Sequence, residues 1–458
     1  MIAHAFCYAN GMRTKVLLSR ATACLLLVLY VTAATADTVD KYLRAEMANQ
    51  RLPGVAVAVL RDGKPVSVRT LGLANIELNV PVTRDTVFKI GSVSKQFIAT
   101  GIMLLVRDGK VRLDDSITQY FEDAPEAWKP ITLRQLLSHT SGLVRESPGF
   151  DGLKAQTDAE VIRKAYDVPL QSAPGEKWAY CNLGYFMLAE IIHRVSGQSW
   201  PQFMTERVFK PLGMTATRTT DTIDIIPHRA NGYLFRDNEQ HNVGPLLALR
   251  PSGAFLSTIT DLMKWEAALH DGVVLSKDEQ AQMLTPVKLT DGSAAKYGFG
   301  WMLDEVRGHR RVHHGGSLPG FRSEFSRYDD SLGVIVLTNA DAARTDAIAV
   351  EVANHYISGL SPDRPVIKLP AATLTDYVGR YHLDGDYLLT IGVDGPGLSV
   401  QHSQGGPQSR LLPENPTTFF MTKDQSYTFS REGGQVTSVT IRGPNGEMVA
   451  EKVSTSAP

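Results

Sequence analysis

Phe88-Lys89-Ile90-Gly91-Ser92-Val93-Ser94-Lys95 is the stretch on which the reading of this chain turns. Beyond it Phe97, Ile98, Met103, Leu104 and Leu105 recur close to helical spacing, which predicts a helix starting near Ser92 and ending at Gly109. Ser92 and Lys95 then share one side of its first turn, because positions three apart on a helix are neighbours. The Lys95 amine can reach the Ser92 hydroxyl, while the partial positive charge of the helix start disfavours ammonium and favours an oxyanion. That is the physics of an activated nucleophile. A helix cap followed by a solvated lysine gives the same pattern, so the decision rests on what else the chain carries.

At 458 residues the chain exceeds one ordinary compact core, and a content of 43% hydrophobic and 21% charged residues is that of a soluble globular protein. Two domains are expected. The 47 basic and 48 acidic residues leave a formal charge of -1, which provides no global drive toward nucleic acid or an anionic membrane. Any recognition must be local.

Residues 12 to 36 run from Arg13, Lys15 and Arg20 into Leu25-Leu26-Leu27-Val28-Leu29-Tyr30-Val31 and on to Ala34-Thr35-Ala36. This is the layout of a secretory signal peptide cleaved between Ala36 and Asp37, with Met1 and Met12 both candidate starts. The apolar run is much shorter than the ~20 residues a membrane-spanning helix needs. An exported protein, periplasmic or secreted, is expected, with no integral membrane segment after cleavage. Cys7 and Cys24 fall in this segment, so the mature chain keeps Cys181 alone and cannot form an internal disulfide. No Cys/His constellation suggests a metal, and the adjacent His313 and His314 should point to opposite faces of a strand. Neither metal nor cofactor is expected.

In chain order, Val39, Tyr42, Leu43 and Met47 predict a first helix, and Gly54 to Leu60, Arg61-Asp62-Gly63-Lys64 and Val66 to Leu71 predict a β-hairpin. The middle is mostly helical. Thr132 can cap a helix through Leu137, Leu188, Ile191, Ile192 and Val195 belong to a helix stopped by Gly197, and Thr258 with Asp261 caps a third. Residues 151–170 show only weak periodicity. Tyr297 to Leu303, Arg310 to Gly316, Phe321 to Tyr328 and Val334 to Leu337 read as strands that can join the first hairpin in one antiparallel sheet. Two glycines inside the second of these, Gly315 and Gly316, suggest that a ligand or another backbone approaches closely there. A proline-rich stretch, residues 361–370, marks a linker, and five short β-rich runs beyond it suggest a small antiparallel barrel. Ser454 to Pro458 reads as a frayed tail.

Three separated pieces, Ser92-Val93-Ser94-Lys95, Tyr180-Cys181-Asn182 and His314-Gly315-Gly316, resemble the motifs of the serine β-lactamase and penicillin-binding-protein superfamily. Leu136 to Leu143 (LLSHTSGL), Pro211-Leu212-Gly213-Met214 and Leu318-Pro319-Gly320-Phe321 narrow the resemblance to the class C β-lactamase, D-alanyl-D-alanine carboxypeptidase and esterase branch, peptidase family S12-like, over about residues 40 to 357. The resemblance implies a mixed α/β (α+β) fold: an antiparallel sheet flanked by helices, with an all-helical subdomain. With the signal peptide read at 1–36 and the linker at 361–370, the resembling hydrolase domain is 37–360, and Leu374, Tyr377, Val378, Gly379 and Tyr381 ahead of the last strands make 371–458 look like a lipocalin-like β-barrel domain.

The roles implied follow position by position. Ser92 would be the acylated nucleophile and Lys95 its proton-accepting or pKa-lowering partner. Tyr180 would act as general base, toward Ser92 and later toward water, its phenol pKa lowered from about 10 by Lys95. Asn182 would hydrogen-bond the substrate amide or hold Lys95, and the backbone N-H groups of Ser92 and Ser317 would form the oxyanion hole. His314, with Gly315 and Gly316, would line the pocket where other members carry lysine, so that the fixed charge serving carboxylate recognition in β-lactam hydrolysis is missing. His139 and Ser141 read as loop residues and Cys181 as a buried spacer. The expectation is an exported serine hydrolase forming an acyl-enzyme on amide or ester bonds, in D-amino-acid-containing peptides or small esters. β-Lactamase activity is one alternative. A non-catalytic sensor that binds peptidoglycan fragments or β-lactams is another, and neither the oligomeric state nor the role of the barrel follows from the sequence.

Overall fold

The computed structural model describes residues 38–154, 156–219, 224–244, 251–329, 331–357, 359–360, 364–384, 387–403, 408–422, 425–443 and 446–453. The expected signal segment and the carboxy-terminal tail lie outside the described residues. The described residues divide into two compact units, one ending at Glu46 and one beginning at Met47. The described part of the first is helical from residue 38.

Within the second unit, among the described residues, seven strands build one antiparallel sheet. Its order is Val80–Pro81, Lys64–Asn75, Gly54–Arg61, Leu332–Thr338, Phe321–Tyr328, His309–Leu318 and Met302–Val306. The early hairpin and the late strands are joined by Gly54–Arg61 pairing with Leu332–Thr338, with Val57 opposite Val336. These two strands are nearly continuous apolar runs, GVAVAVLR and LGVIVLT, and almost every residue in them is buried, as a strand covered on both faces requires. The hairpin turn holds Asp62 at φ 49° and Gly63 at φ 70°, the left-handed pair of a type I′ turn whose twist matches the strands it joins.

The segment between the two halves of the sheet is helical, as expected, and its core is continuous with one face of the sheet. Phe97, Ile98 and Leu105 of helix Ser94–Arg107, Leu188 and Ile191 of helix Asn182–Ser196 and Trp265 of helix Ile259–Asp271 are fully enclosed in it with Phe325 and Ile335. Thr132 caps its helix through a reciprocal bond with Gln135, and Thr258 accepts from Asp261 N. The Asp261 carboxylate does not complete a box; it accepts from Ala216 N and pairs with Lys264. Residues 151–170, where periodicity was weak, contain the short helix Asp158–Arg163 set by a Thr157–Glu160 capping box.

One expected strand is different. Tyr297 to Trp301 is not a strand, and regular pairing starts at Met302. The reason is close packing: a Cβ on Gly298 would lie 2.0 Å from Met283 O, and one on Gly300 2.8 Å from Lys95 O, so this loop is pressed onto other backbones.

Beyond the linker, strands Gly379–Asp384, Tyr387–Asp394, Gly397–His402, Ser409–Pro413, Thr418–Thr422, Gln425–Glu432, Gln435–Gly443 and Gly446–Lys452 close into an antiparallel barrel. Closure leaves no sheet edge free to pair with another chain. The interior is packed: Tyr381, Leu389, Leu398, Phe419 and Tyr427 are fully buried, and the Tyr377 and Phe429 rings stand 4.6 Å apart. Arg51 donates to Asp394 of the barrel at 2.8 Å, and Arg344 donates to Ser409 Oγ at 2.6 Å, tying the barrel to the sheet-bearing part.

Candidate active site

The chain enters the site along Phe88–Lys89, which pairs with Leu256–Ser257. Gly91 takes φ 52°, a conformation that bulkier residues rarely adopt, and turns the backbone into a 3-10 turn, Gly91–Val93, that runs on as helix Ser94–Arg107. The helix thus starts slightly later and ends slightly earlier than expected. Ser92 is not a cap: the capping position is Ile90, which makes no side-chain bond to the helix.

Lys95 is completely buried. Its Nζ donates to Ser92 Oγ at 3.2 Å, to Asn182 Oδ1 at 2.8 Å and to the Ser252 carbonyl at 2.9 Å. A buried ammonium is tolerated when its donors are satisfied in this way. Asn182, the first residue of its helix, is fixed at its other end by donating from Nδ2 to Glu146. Asn182 thus links Lys95 to Glu146 through the two ends of its amide. Cys181 is the capping residue, its Sγ accepting from Gly184 N, and burial pushes its thiol pKa up to about 11, in line with a structural spacer.

The half-buried Tyr180 ring lies among cations and rings. Its centroid is 4.7 Å from Lys95 Nζ and 5.0 Å from the Arg145 guanidinium, and 4.4 Å from the His139 ring. Lys95 thus touches Ser92, Tyr180 and Asn182 at once.

The glycines of the third motif allow two backbones to meet. A Cβ on Gly316 would lie 2.0 Å from Ile90 O, and a Cβ on Gly91 would lie 2.7 Å from Ser317 N. Ser323 Oγ, from the neighbouring strand, donates to the same Ile90 carbonyl at 2.7 Å. Ser317 is thereby held against the turn that carries Ser92. His314 points to this side of the sheet. It is buried, its Nδ1 faces the Gly315 carbonyl at 2.7 Å, and its Nε2 accepts from Tyr297 Oη at 2.9 Å. Burial, reinforced by Lys95, drives its pKa down to about 3, so this position is uncharged at neutral pH.

His313 faces the other way, as strand alternation dictates. Its nitrogens meet Glu324 at 2.9 Å and Asp304 at 3.2 Å, and Arg311 pairs with Asp304 and Asp346. His313, Glu324 and Asp346 come close enough together to hold an ion, but both imidazole nitrogens face carboxylates and the Arg311 guanidinium already pairs with Asp346 and stands 3.3 Å from His313 Nε2. Burial alone would lower the His313 pKa; the Glu324 charge and the carboxylate hydrogen bonds outweigh it and raise the pKa to about 9. The cluster is a charged network in its own right.

Sequence reasoning missed Arg145, Glu146, Ser252 and Tyr297, which contact the motif residues from loops. No periodicity or spacing marks such residues, because only the folded chain brings them near.

The fold and much of the sequence have counterparts in known proteins. The beta-lactamase family model matches residues 39–355, and a domain of unknown function, DUF3471, matches 363–454. Penicillin-binding protein 4* of Bacillus subtilis is 28% identical over 382 residues, spanning 77% of this chain and 84% of the relative. A D-aminopeptidase of Cereibacter sphaeroides is 27% identical over 395 residues, spanning 81% and 71%. The crystal structure of the D-amino acid amidase of Ochrobactrum anthropi in complex with L-phenylalanine amide superimposes with a TM-score of 0.59 at 27% identity, covering 68% of this chain and 92% of that one. With a family model spanning more than half of its length and a fold to match, the chain belongs to the beta-lactamase family and is a serine hydrolase of the acyl-enzyme type.

Proposed function

We propose that this hydrolase cleaves amide bonds in short peptides or amides that carry a D-amino acid, with Ser92 as nucleophile. The observation that carries the assignment is the buried Lys95 ammonium bonded to Ser92 Oγ while lying against the Tyr180 ring. The substrate class is supported by the relatives, whose names are those of D-aminopeptidases and of a D-amino acid amidase.

In this reading Tyr180, as phenolate, takes the Ser92 proton as Oγ attacks the carbonyl carbon. Lys95 and Arg145 beside the ring stabilise the negative charge this role requires. The Ser92 and Ser317 N-H groups receive the tetrahedral oxyanion, the tyrosine returns the proton to the departing amine, and an ester to Ser92 remains. Water then attacks that ester, giving its proton to Tyr180, which passes it to Ser92 Oγ as the tetrahedral intermediate collapses, so that the acid product is released with the serine hydroxyl and the phenolate restored. Lys95 holds Ser92 and Asn182 throughout. A β-lactam is the poorer substrate, because the His314 position supplies no charge for its carboxylate and both ring nitrogens are engaged.

A cavity of about 270 Å³ lined by Trp178, Lys296, Met302, Leu303, Asp304 and His313 lies beside the Trp178 ring, which stands 6.5 Å from that of Tyr180. It suits an apolar substrate side chain. We also assign export to the signal segment within residues 1–36, the hydrolase domain to 37–360 and an accessory barrel to 371–458. The deciding experiment is a turnover screen of the mature chain against paired D- and L-amino acid p-nitroanilides, p-nitrophenyl esters and a chromogenic cephalosporin. Preference for the D-anilides is expected. Turnover of the cephalosporin above every amide would replace this reading by a β-lactamase.

A further inference from the structure

His139 breaks two rules at once. It holds φ 61° without being glycine, and it is buried with its Nε2 lacking a hydrogen-bond partner among the described residues. Such departures persist where the surrounding structure or the chemistry has use for them.

What His139 touches explains the use. Its carbonyl accepts from Ala179 N at 2.9 Å, and its Nδ1 accepts from Cys181 N at 3.1 Å. One residue therefore holds the N-H groups of both neighbours of Tyr180, and the left-handed backbone is what lets carbonyl and ring reach the two N-H groups together. The imidazole ring also lies 4.4 Å from the Tyr180 ring, 4.6 Å from Tyr297 and 5.3 Å from Tyr185, so the phenol rests on a built surface.

Because Nδ1 accepts, the proton of the neutral ring sits on Nε2. The groups facing it are the cationic Lys95 and Arg145, and His314, Tyr180, Tyr185, Tyr297 and Cys181. Burial, then Lys95, His314 and Arg145, holds its pKa well below the usual imidazole value. The Nδ1 lone pair thus stays available to Cys181 N across the working pH range.

We propose that His139 is a positioning residue for the reaction: it sets the height and tilt of Tyr180 over Lys95 and acts on turnover only through Tyr180. This rests on the reading of Tyr180 as the base. Misplacing a catalytic group by a fraction of its contact distance costs turnover far more than binding.

The test is a double-mutant cycle in the full mature chain, read as kcat, KM, the pH profile of kcat/KM and melting temperature, with a D-amino acid p-nitroanilide as probe. His139→Ala is expected to lower kcat by about 10- to 100-fold, with KM within about threefold and the pH limb assigned to Tyr180 displaced. His139→Asn is expected to restore kcat to within about fivefold of wild type, since asparagine tolerates the left-handed backbone and offers Oδ1 to Cys181 N. In a Tyr180→Phe background, His139→Ala should cost less than about twofold more. A folded His139→Asn protein as slow as Tyr180→Phe overturns the proposal even if the alanine variant does not fold. So does a fully additive loss in the cycle, which makes His139 merely structural while Tyr180 stays the base. A Tyr180→Phe protein with wild-type turnover overturns the base reading itself, and this proposal with it.

Discussion

Gly316 and Ile90 touch so closely that a Cβ on the glycine would stand 2.0 Å from the Ile90 carbonyl oxygen and 2.2 Å from Ser323 Oγ. This contact holds strand His309–Leu318 against the turn bearing Ser92. Gly316→Ala should therefore force the two apart, costing about 1–3 kcal/mol in stability as overpacking does. If Ser317 N-H receives the oxyanion, kcat should fall by about 10²- to 10³-fold as well, the usual cost of losing one such donor. A folded Gly316→Ala protein with wild-type kcat would sink the assignment of Ser317.

Ser92→Ala should abolish turnover and the covalent adduct seen by mass spectrometry after incubation with a slow ester. The fold should persist with a nearly unchanged melting temperature, because Ser92 caps nothing and loses only the bond from Lys95 Nζ, worth about 1 kcal/mol. Hydrolysis at the wild-type rate by the folded variant would remove the nucleophile.

Tyr180→Phe keeps the ring and its packing on His139 and removes one oxygen. As a base, that oxygen contributes about 10²- to 10⁴-fold, or roughly 3–5 kcal/mol of barrier, against about 1 kcal/mol for one structural hydrogen bond. Stopped-flow acylation should slow by orders of magnitude at nearly constant KM and melting temperature. An unchanged acylation rate would transfer the base role to Lys95.

His313 makes stability fall on the alkaline side. Its folded pKa, raised to about 9 chiefly by Glu324 and Asp304 against the effect of burial, lies above the roughly 6.5 of an unfolded chain. The folded state thus binds the proton more tightly. The contribution is complete below about pH 6.5 and disappears as pH rises through about 9, at most ~3 kcal/mol. Urea unfolding at pH 6 and pH 9.5 measures it, and His313→Gln should flatten that part of the curve. Parallel curves for the two proteins would refute the assignment.

The amino-acid sequence by itself determined the pieces that depend on neighbours in the chain. Ser92 and Lys95 are three residues apart, so the start of one helix suffices to join them. Val57 and its alternating or continuous apolar neighbours commit Gly54–Arg61 to a strand, and Gly197 at φ 72° ends its helix where expected. Five of the barrel strands could be read because each is a compact apolar run between turn residues. The others, Gly379–Asp384, Ser409–Pro413 and Gly446–Lys452, are more polar and become strands through the partners that close the barrel.

Only the tertiary structure decided how the motifs meet. Asn182 and Ser252 reach Lys95 across 87 and 157 residues of chain. Nothing in the local sequence marks Ser252, since the donor is met by a backbone carbonyl that every residue possesses. His139 looked like a loop residue because its two bonds to the N-H groups of Ala179 and Cys181, the neighbours of Tyr180, cross 40 residues or so of chain, and its ring nitrogen is assigned its role only by Cys181 N. Tyr297 lost its place in a strand to the pressure of Gly298 and Gly300 on distant backbones. Local propensity is set within a few residues, whereas a catalytic site is a set of polar groups that must find one another once water has been excluded from between them.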